Sequence, residues 1–157
     1  MNRLSELKEN RKLDNNGFSL VELIIVIAIM AVLIGVLAPQ YLKYVERSRN
    51  STDQDNATAI ASALQVWASE TDYGSKNPYT AGSGTVTVTA AGGSVTAEIN
   101  TSAVKDALDN ASINVTNLKC QSKTKWVSYE VTVTVNSDGS ANTSIVYKDS
   151  AGASVTP

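Results

Sequence analysis

The stretch FSLVELIIVIAIMAVLIGVLA, residues 18–38, decides the fold of this chain. Its only charged residue is Glu22, and its Ile, Leu and Val residues occur at every position around a helical projection. At about 1.5 Å per residue, a helix of this length spans roughly 30 Å, which is the thickness of the hydrocarbon core of a bilayer. The stretch therefore predicts a membrane-spanning helix near the N-terminus rather than an amphipathic surface helix.

A short polar segment, residues 1–17, precedes the apolar stretch and contains both basic and acidic residues. A secretory signal peptide usually has a shorter apolar run, and here Pro39 follows Ala38 where cleavage would be expected. A simple membrane anchor would leave Glu22 unexplained, because an acidic side chain inside a bilayer costs about 3 kcal/mol on insertion scales. Both interpretations stay open at this point, and a third interpretation explains the acidic residue as well.

The third interpretation depends on residues 17–23, GFSLVEL. A Gly stands before a Phe, a Glu follows four residues after that Phe, and the apolar run continues unbroken behind a short charged leader. This combination resembles the processing site of type IV prepilins and their pseudopilin relatives. The resemblance extends over about residues 1–49. It implies that prepilin peptidase cleaves after Gly17 and that the same enzyme, as an N-methyltransferase, methylates Phe18.

The resemblance also implies a function. Prepilins lose their leader, polymerise through the N-terminal helix and form a surface filament for adhesion, twitching motility or DNA uptake. The preferred interpretation is a structural subunit, the major pilin, rather than an enzyme. One alternative is a pseudopilin of a type II secretion or competence system. An alternative from another class is a membrane-anchored binding domain that never polymerises.

Partners and location follow from the same resemblance. The expected partners are further copies of the chain, prepilin peptidase, membrane lipid before assembly and, indirectly, an inner-membrane assembly platform with its ATPase. The subunit is expected as a single-pass protein of the cytoplasmic membrane before assembly. After assembly it is expected in an extracellular pilus.

The resemblance gives four residues a role in assembly, namely Phe18, Glu22, Gly35 and Pro39. In the family, the α-amino group that cleavage creates on the Phe lies close to the Glu of a neighbouring subunit, and a buried carboxylate is tolerated when a cation pairs with it. The alternative for Glu22 is a position among lipid headgroups. Gly weakens a helix and Pro removes a helical hydrogen bond. The resemblance implies a locally unwound stretch over residues 35–39 in the filament, with a simple kink as the alternative.

The composition excludes several kinds of site. The chain has no His, so His-based acid–base catalysis and His-ligated metals are excluded, and its single Cys, Cys120, cannot form a disulfide within the chain. We expect neither a cofactor nor a metal. Lys119, Lys123 and Lys125 lie close to Trp126 and could contact DNA, but a solvated loop is favoured. The formal net charge of -2 argues against general nucleic-acid binding.

After Pro39 the pattern becomes amphipathic, and one helix is predicted over residues 18–72. Its apolar stripe is predicted to contain Tyr41, Tyr44, Val45, Ser48, Thr52, Ile60, Ala63, Leu64 and Trp67. The charged residues, among them Asp53, are placed mostly off this stripe. Trp67 and its stripe neighbours are expected to pack against the strand face that carries Val131 and Val133.

The second half of the chain is rich in Thr, Ser and Val, which suits small sheets with one polar face. A loop is predicted over residues 76–84 and a frayed tail over residues 149–157. Short elements are predicted between them: strands at 85–90, 94–99, 113–120, 126–136 and 141–147, and a helix at 102–110. Residues 136–139, NSDG, are interpreted as an ordinary turn rather than a calcium site.

The predicted fold class is α+β, a long N-terminal helix packed on a small, mostly antiparallel sheet. The predicted organisation is a leader (1–17), a transmembrane and filament-core helix (18–39), an amphipathic helix half (40–73) and a β-sheet head (74–157).

Overall fold

The computed structural model describes residues 18–69, 81–99, 101–138 and 140–157. The chain divides into two compact units, Met1–Leu42 and Lys43–Pro157. The helices and strands are α1 (Leu20–Ser69), β1 (Gly82–Thr89), β2 (Gly93–Ala97), α2 (Thr101–Asn110), a 3₁₀ helix (Val115–Asn117), β3 (Ser128–Val135), β4 (Ala141–Lys148) and β5 (Ser154–Val155). The predicted α+β class is confirmed. The leader with Gly17, the predicted helix end at 70–72 and the start of the predicted loop lie outside the described residues.

The first unit contains the beginning of α1. Ser19 and Glu22 define its first turn, because the backbone N–H of Ser19 donates to Oε2 of Glu22 at 2.9 Å. This is the backbone half of a capping box. The helix continues through Pro39, so residues 35–39 are helical in the single chain. The unwound stretch was predicted for the filament and stays a prediction.

The second unit is built on a five-stranded sheet in the order β2-β1-β3-β4-β5, with every neighbouring pair antiparallel. The four strands of the β1–β2 and β3–β4 hairpins were all predicted. Alternate residues of each strand point to one face, so the Val residues of β1 and β3 lie together on the buried side. The second part of α1 and α2 contribute further residues to the core, namely Ala57, Ile60, Leu64, Trp67, Ala103, Val104, Ala107 and Leu108.

The apolar stripe of α1 was predicted only in part. Ile60, Leu64 and Trp67 are buried, as expected. Tyr41 and Tyr44, at the start of the predicted stripe, are 68% and 64% exposed. At about 100° per residue, these tyrosines and the Ile60–Trp67 group lie on different faces of the helix, so one stripe could not contain both. The face on which the sheet packs decided which set became buried.

Four predicted features of the head are wrong. Residues 113–120 do not form a strand: Asn117 and Leu118 donate their N–H groups to nearby carbonyls, giving a 3₁₀ turn instead of a ladder. Val127 is 43% exposed and precedes β3 instead of lying on its buried face. The tail is not frayed throughout, because β5 pairs with the end of β4. The predicted loop also ends earlier, since β1 begins at Gly82.

Candidate functional site

The predicted assembly residues at the start of α1 are exposed to solvent. Phe18 is 81% exposed, and Glu22 has the N–H of Ser19 as its hydrogen-bond partner. A carboxylate in the first helical turn also interacts favourably with the positive end of the helix dipole. Glu22 thus caps its own helix in the single chain. Its predicted pairing with the Phe18 amine of a neighbouring subunit stays a prediction.

Gly35 and Pro39 are four residues apart in α1, the spacing at which a helix normally forms a backbone hydrogen bond. Because Pro39 has no N–H, the carbonyl of Gly35 lacks its usual donor four residues later. A Cβ placed on Gly35 would have no atom within 4 Å, so this side of the helix is open to whatever packs there. The pair therefore provides a free backbone acceptor at a position with no side chain, within a helix that is otherwise regular.

The described part of the first unit, residues 18–42, has an apolar surface on all sides. Every large hydrophobic residue from Phe18 to Leu42 is between 46% and 81% exposed. By length and composition α1 is able to cross a membrane. Such a surface needs lipid or other protein chains around it, because water hydrates apolar side chains unfavourably.

The second unit contains a buried carboxylate that the sequence analysis missed. Asp53 was placed off the buried face of α1 but is fully buried. Its Oδ1 accepts the backbone N–H of Gln121 at 2.7 Å, and its Oδ2 accepts the backbone N–H of Ser122 and the indole N–H of Trp126, both at 2.9 Å. The thiol of Cys120 also donates to Oδ2, at 3.4 Å. These donors satisfy a carboxylate that would otherwise be costly to bury.

Glu46, two helical turns before Asp53, binds the same loop. Its Oε1 accepts the backbone N–H groups of Lys123 and Thr124, at 2.7 and 2.9 Å, and the hydroxyls of Ser122 and Thr124. Its Oε2 pairs with Arg49 at 3.4 Å. Desolvation opposes ionisation, but the hydrogen bonds from the loop outweigh it and lower the pKa of Glu46 to about 2.

These two carboxylates hold the loop of residues 120–126, here called the clamped loop. The six consecutive backbone N–H groups of residues 121–126 all donate to side chains: two to Asp53, two to Glu46 and two to the hydroxyl of Ser122. An irregular segment with buried backbone needs such acceptors, because it has no ladder to provide them. The clamped loop is therefore fixed against α1 by side chains of the helix.

Cys120 is part of this arrangement. It is buried, and burial together with the Asp53 carboxylate raises the pKa of its thiol to about 12. A thiol that stays protonated reacts poorly as a nucleophile. Cys120 thus acts as a small buried donor to Asp53.

The rival interpretation as a binding domain would require a pocket with converging polar groups. A cavity of about 520 Å³ lies beside β2 and α2, lined in part by Lys105, Asp109, Asn114 and Thr116. The hydroxyl of Thr116 already donates to Asn114. Among residues 18–69, 81–99, 101–138 and 140–157, no group of three or more acidic, Cys or His residues could hold a metal ion. Lys119, Lys123 and Lys125 are exposed on their loop.

The sequence contained a signal that Glu46 and Asp53 lie on the buried side of α1. Glu46, Asp53, Ile60 and Trp67 follow one another at intervals of seven residues, which places them on one side of a helix. The two acidic residues continue the buried Ile60–Trp67 line towards the apolar segment. Glu46 and Asp53 were not predicted to be buried because they are charged, and an isolated carboxylate is rarely buried.

Comparisons with known proteins agree with the processing motif. The family model "prokaryotic N-terminal methylation motif" matches residues 12–38. Over 58 residues the chain is 38% identical to "Type IV major pilin protein PilA" of Myxococcus xanthus, covering 37% of this chain and 26% of the relative. Over 66 residues it is 33% identical to "Prepilin peptidase-dependent protein A" of Clostridium perfringens, covering 42% of this chain and 45% of the relative.

The matched stretches thus span less than half of either relative. No solved structure matches the chain. The chain thus carries a prokaryotic N-terminal methylation motif, as the residues GFSLVEL predicted, and over its N-terminal part it is similar to a type IV major pilin and to a prepilin peptidase-dependent protein.

Proposed function

We propose that this chain is the major structural subunit of a type IV pilus and polymerises through the first part of α1. The observation that supports this most strongly is the uncovered apolar surface of the first unit, where large hydrophobic side chains are 46–81% exposed. A folded head cannot shield such a surface, because its apolar residues surround the helix. In the membrane, lipid covers it, and in a filament, neighbouring helices replace the lipid.

Cleavage of the leader comes before the replacement of lipid by neighbouring helices. Prepilin peptidase removes residues 1–17 after Gly17 and methylates Phe18, which leaves an amine at the start of α1. Glu22 then exchanges its contact with the N–H of Ser19 for the Phe18 amine of a neighbouring subunit. An ion pair in an apolar interior is strong when both groups are satisfied, so this contact sets the axial register between subunits.

Mass spectrometry of sheared surface filaments tests the proposed function. The expected chain in the filaments begins at methylated Phe18 and lacks residues 1–17. Filaments that lack this chain, or contain it with its leader, would contradict the proposal.

The Glu22→Leu variant tests the register contact. It should be cleaved and inserted normally, because removing a charge from an apolar helix favours insertion. Assembly should fail or give filaments of irregular rise, measured by electron microscopy. The matched control is Ile24→Leu, which changes a neighbouring apolar residue without removing a charge. Wild-type filament yield and rise in Glu22→Leu would refute the pairing.

A further inference from the structure

Exposed cations gather at the end of the second unit where the chain continues into the apolar segment. Lys43 and Arg47 are one helical turn apart on α1, and both are exposed. Lys123 and Lys125 are exposed on the clamped loop. The backbone N–H of Lys123 donates to Glu46 at 2.7 Å, which fixes the loop beside the same turn of α1. These four cations are here called the basic collar.

The acidic residues beside the collar are already engaged. Both carboxylate oxygens of Glu46 have partners, from the clamped loop and from Arg49, and Asp53 is fully buried. In the part of the chain that the structure describes, no collar cation lies within 4.0 Å of a carboxylate oxygen. The collar therefore presents positive charge at fixed positions without an internal counter-ion.

The chain sequence locates the collar relative to a bilayer. A helix needs about 20 residues to cross the hydrocarbon core, so a span that begins at Leu20 ends near Pro39. Tyr41 and Tyr44 follow, and Tyr is enriched where membrane meets water. Lys43 lies between these tyrosines, and Arg47 lies over the Tyr44 ring at 5.9 Å from its centroid. Lys43, the first cation of the collar, therefore follows the end of the span by only a few residues of sequence.

We propose that the basic collar binds the phosphates of anionic phospholipids while the subunit is tethered in the membrane. This proposal rests on the proposed membrane stage of the subunit and not on its polymerisation. Clusters of Lys and Arg next to a spanning helix attract anionic headgroups. Because Glu46 and Asp53 already order the clamped loop, its two lysines lose little backbone freedom when they bind.

A lipid surface fits the collar better than DNA does. The whole chain carries a formal net charge of -2, which repels a long polyanion beyond the immediate contact. DNA affinity also depends on many simultaneous phosphate contacts, whereas the collar offers four cations. Lipid phosphates have a high effective concentration near Lys43, because only a few residues separate it from the end of the apolar run.

The test uses the full chain reconstituted in phosphatidylcholine bilayers that contain spin-labelled phosphatidylglycerol or spin-labelled phosphatidylcholine. Electron paramagnetic resonance measures how much of each lipid the protein immobilises. The wild type should prefer phosphatidylglycerol, and raising the salt concentration should weaken that preference. In the double variant Lys123→Gln and Lys125→Gln, the preference for phosphatidylglycerol over phosphatidylcholine should fall about fivefold for each cation removed.

The fold of this double variant should be intact, because Glu46 binds the backbone of Lys123 and not its ammonium group. Circular dichroism checks this point. Lys105→Gln on α2 removes an exposed Lys outside the collar and should leave the lipid preference unchanged.

Two results would overturn the proposal: wild-type preference in the double variant, or an equal loss in Lys105→Gln. A double variant that lost affinity for duplex DNA while keeping its lipid preference would also overturn it, in favour of DNA. A chain that bound phosphatidylglycerol through the collar but never entered filaments would refute the proposed function alone.

Discussion

The two halves of α1 belong to one helix but have opposite surroundings. Up to Leu42, the large apolar side chains are exposed by 46–81%. Beyond Lys43, Ile60 and Leu64 have no exposed surface at all. Helix formation is the same in both halves, so it does not explain the difference. What differs is the distribution of apolar residues, which surround the first half and occupy one face of the second.

This difference shows which half depends on other molecules. A sheet can cover one face of a helix, and the head does so in the second half. A helix that is apolar all round must be covered all round, which requires lipid or several neighbouring helices. The first half therefore needs surroundings from outside the chain, whereas the second half obtains them from its own head.

Separating the two halves of α1 should change the solubility of the protein, and this is the largest effect that we expect. A fragment of residues 40–157 should be a soluble monomer, because it retains the covered part of α1 and loses the uncovered part. Size-exclusion chromatography and circular dichroism measure this. The full chain in the same buffer without detergent is the control and should aggregate. An unfolded or aggregated fragment would show that the head depends on the first half.

Truncating the buried indole tests the contact between the second half and the sheet. Trp67→Ala in this fragment should lose about 3–5 kcal/mol of stability, because a large buried side chain leaves a cavity. Thermal unfolding followed by circular dichroism measures the loss. Val66→Ala is the matched control, since Val66 is the adjacent residue and is 60% exposed. If both variants melted alike, Trp67 would belong to a contact between subunits instead.

Removing the buried carboxylate tests the clamp. Asp53→Ala leaves the backbone N–H of Ser122 and the indole N–H of Trp126 buried without an acceptor, which should cost about 3 kcal/mol. Urea unfolding of the fragment measures the cost, and hydrogen exchange should become faster in the clamped loop. Asp55→Ala, at an exposed acidic residue of the same helix, is the control. Unchanged exchange in the loop would show that Asp53 does not hold it.

Acid should protonate Glu46 and so weaken its hydrogen bonds to the clamped loop. The pKa of Glu46 lies near 4.5 in the unfolded chain and is lowered to about 2 in the folded one. The folded state therefore binds the proton less readily, and the stabilisation is fully present above pH 4.5 and is lost as the pH falls towards 2. The difference in Tm between the wild type and Glu46→Gln should narrow between pH 6 and pH 2.5. A constant difference would show that the charge of Glu46 is not what stabilises the loop.

Elements with a regular pattern were predictable. Alternation of Val with Thr and Ser predicted β1 and β3, and the helix predicted at 102–110 is α2, in which Ala103, Val104, Ala107 and Leu108 are buried. The segment at 113–120 was not predictable, because local turn bonds and a strand ladder compete for the same backbone groups. Val127 shows the same limit at a strand end: the alternating pattern extends one residue beyond β3, which begins at Ser128.

The sequence by itself determined the N-terminal half. Residues 12–38 match an N-terminal methylation motif, and the apolar run within them needs no tertiary contact to be recognised, because hydrophobicity and length alone match a bilayer. Only the tertiary structure decided what Glu46 and Asp53 do. A carboxylate on a helix is normally hydrated, and it becomes a structural acceptor only when a distant segment brings its N–H groups within hydrogen-bonding distance. Those donors lie about seventy residues later in the chain, and folding alone brings them to α1.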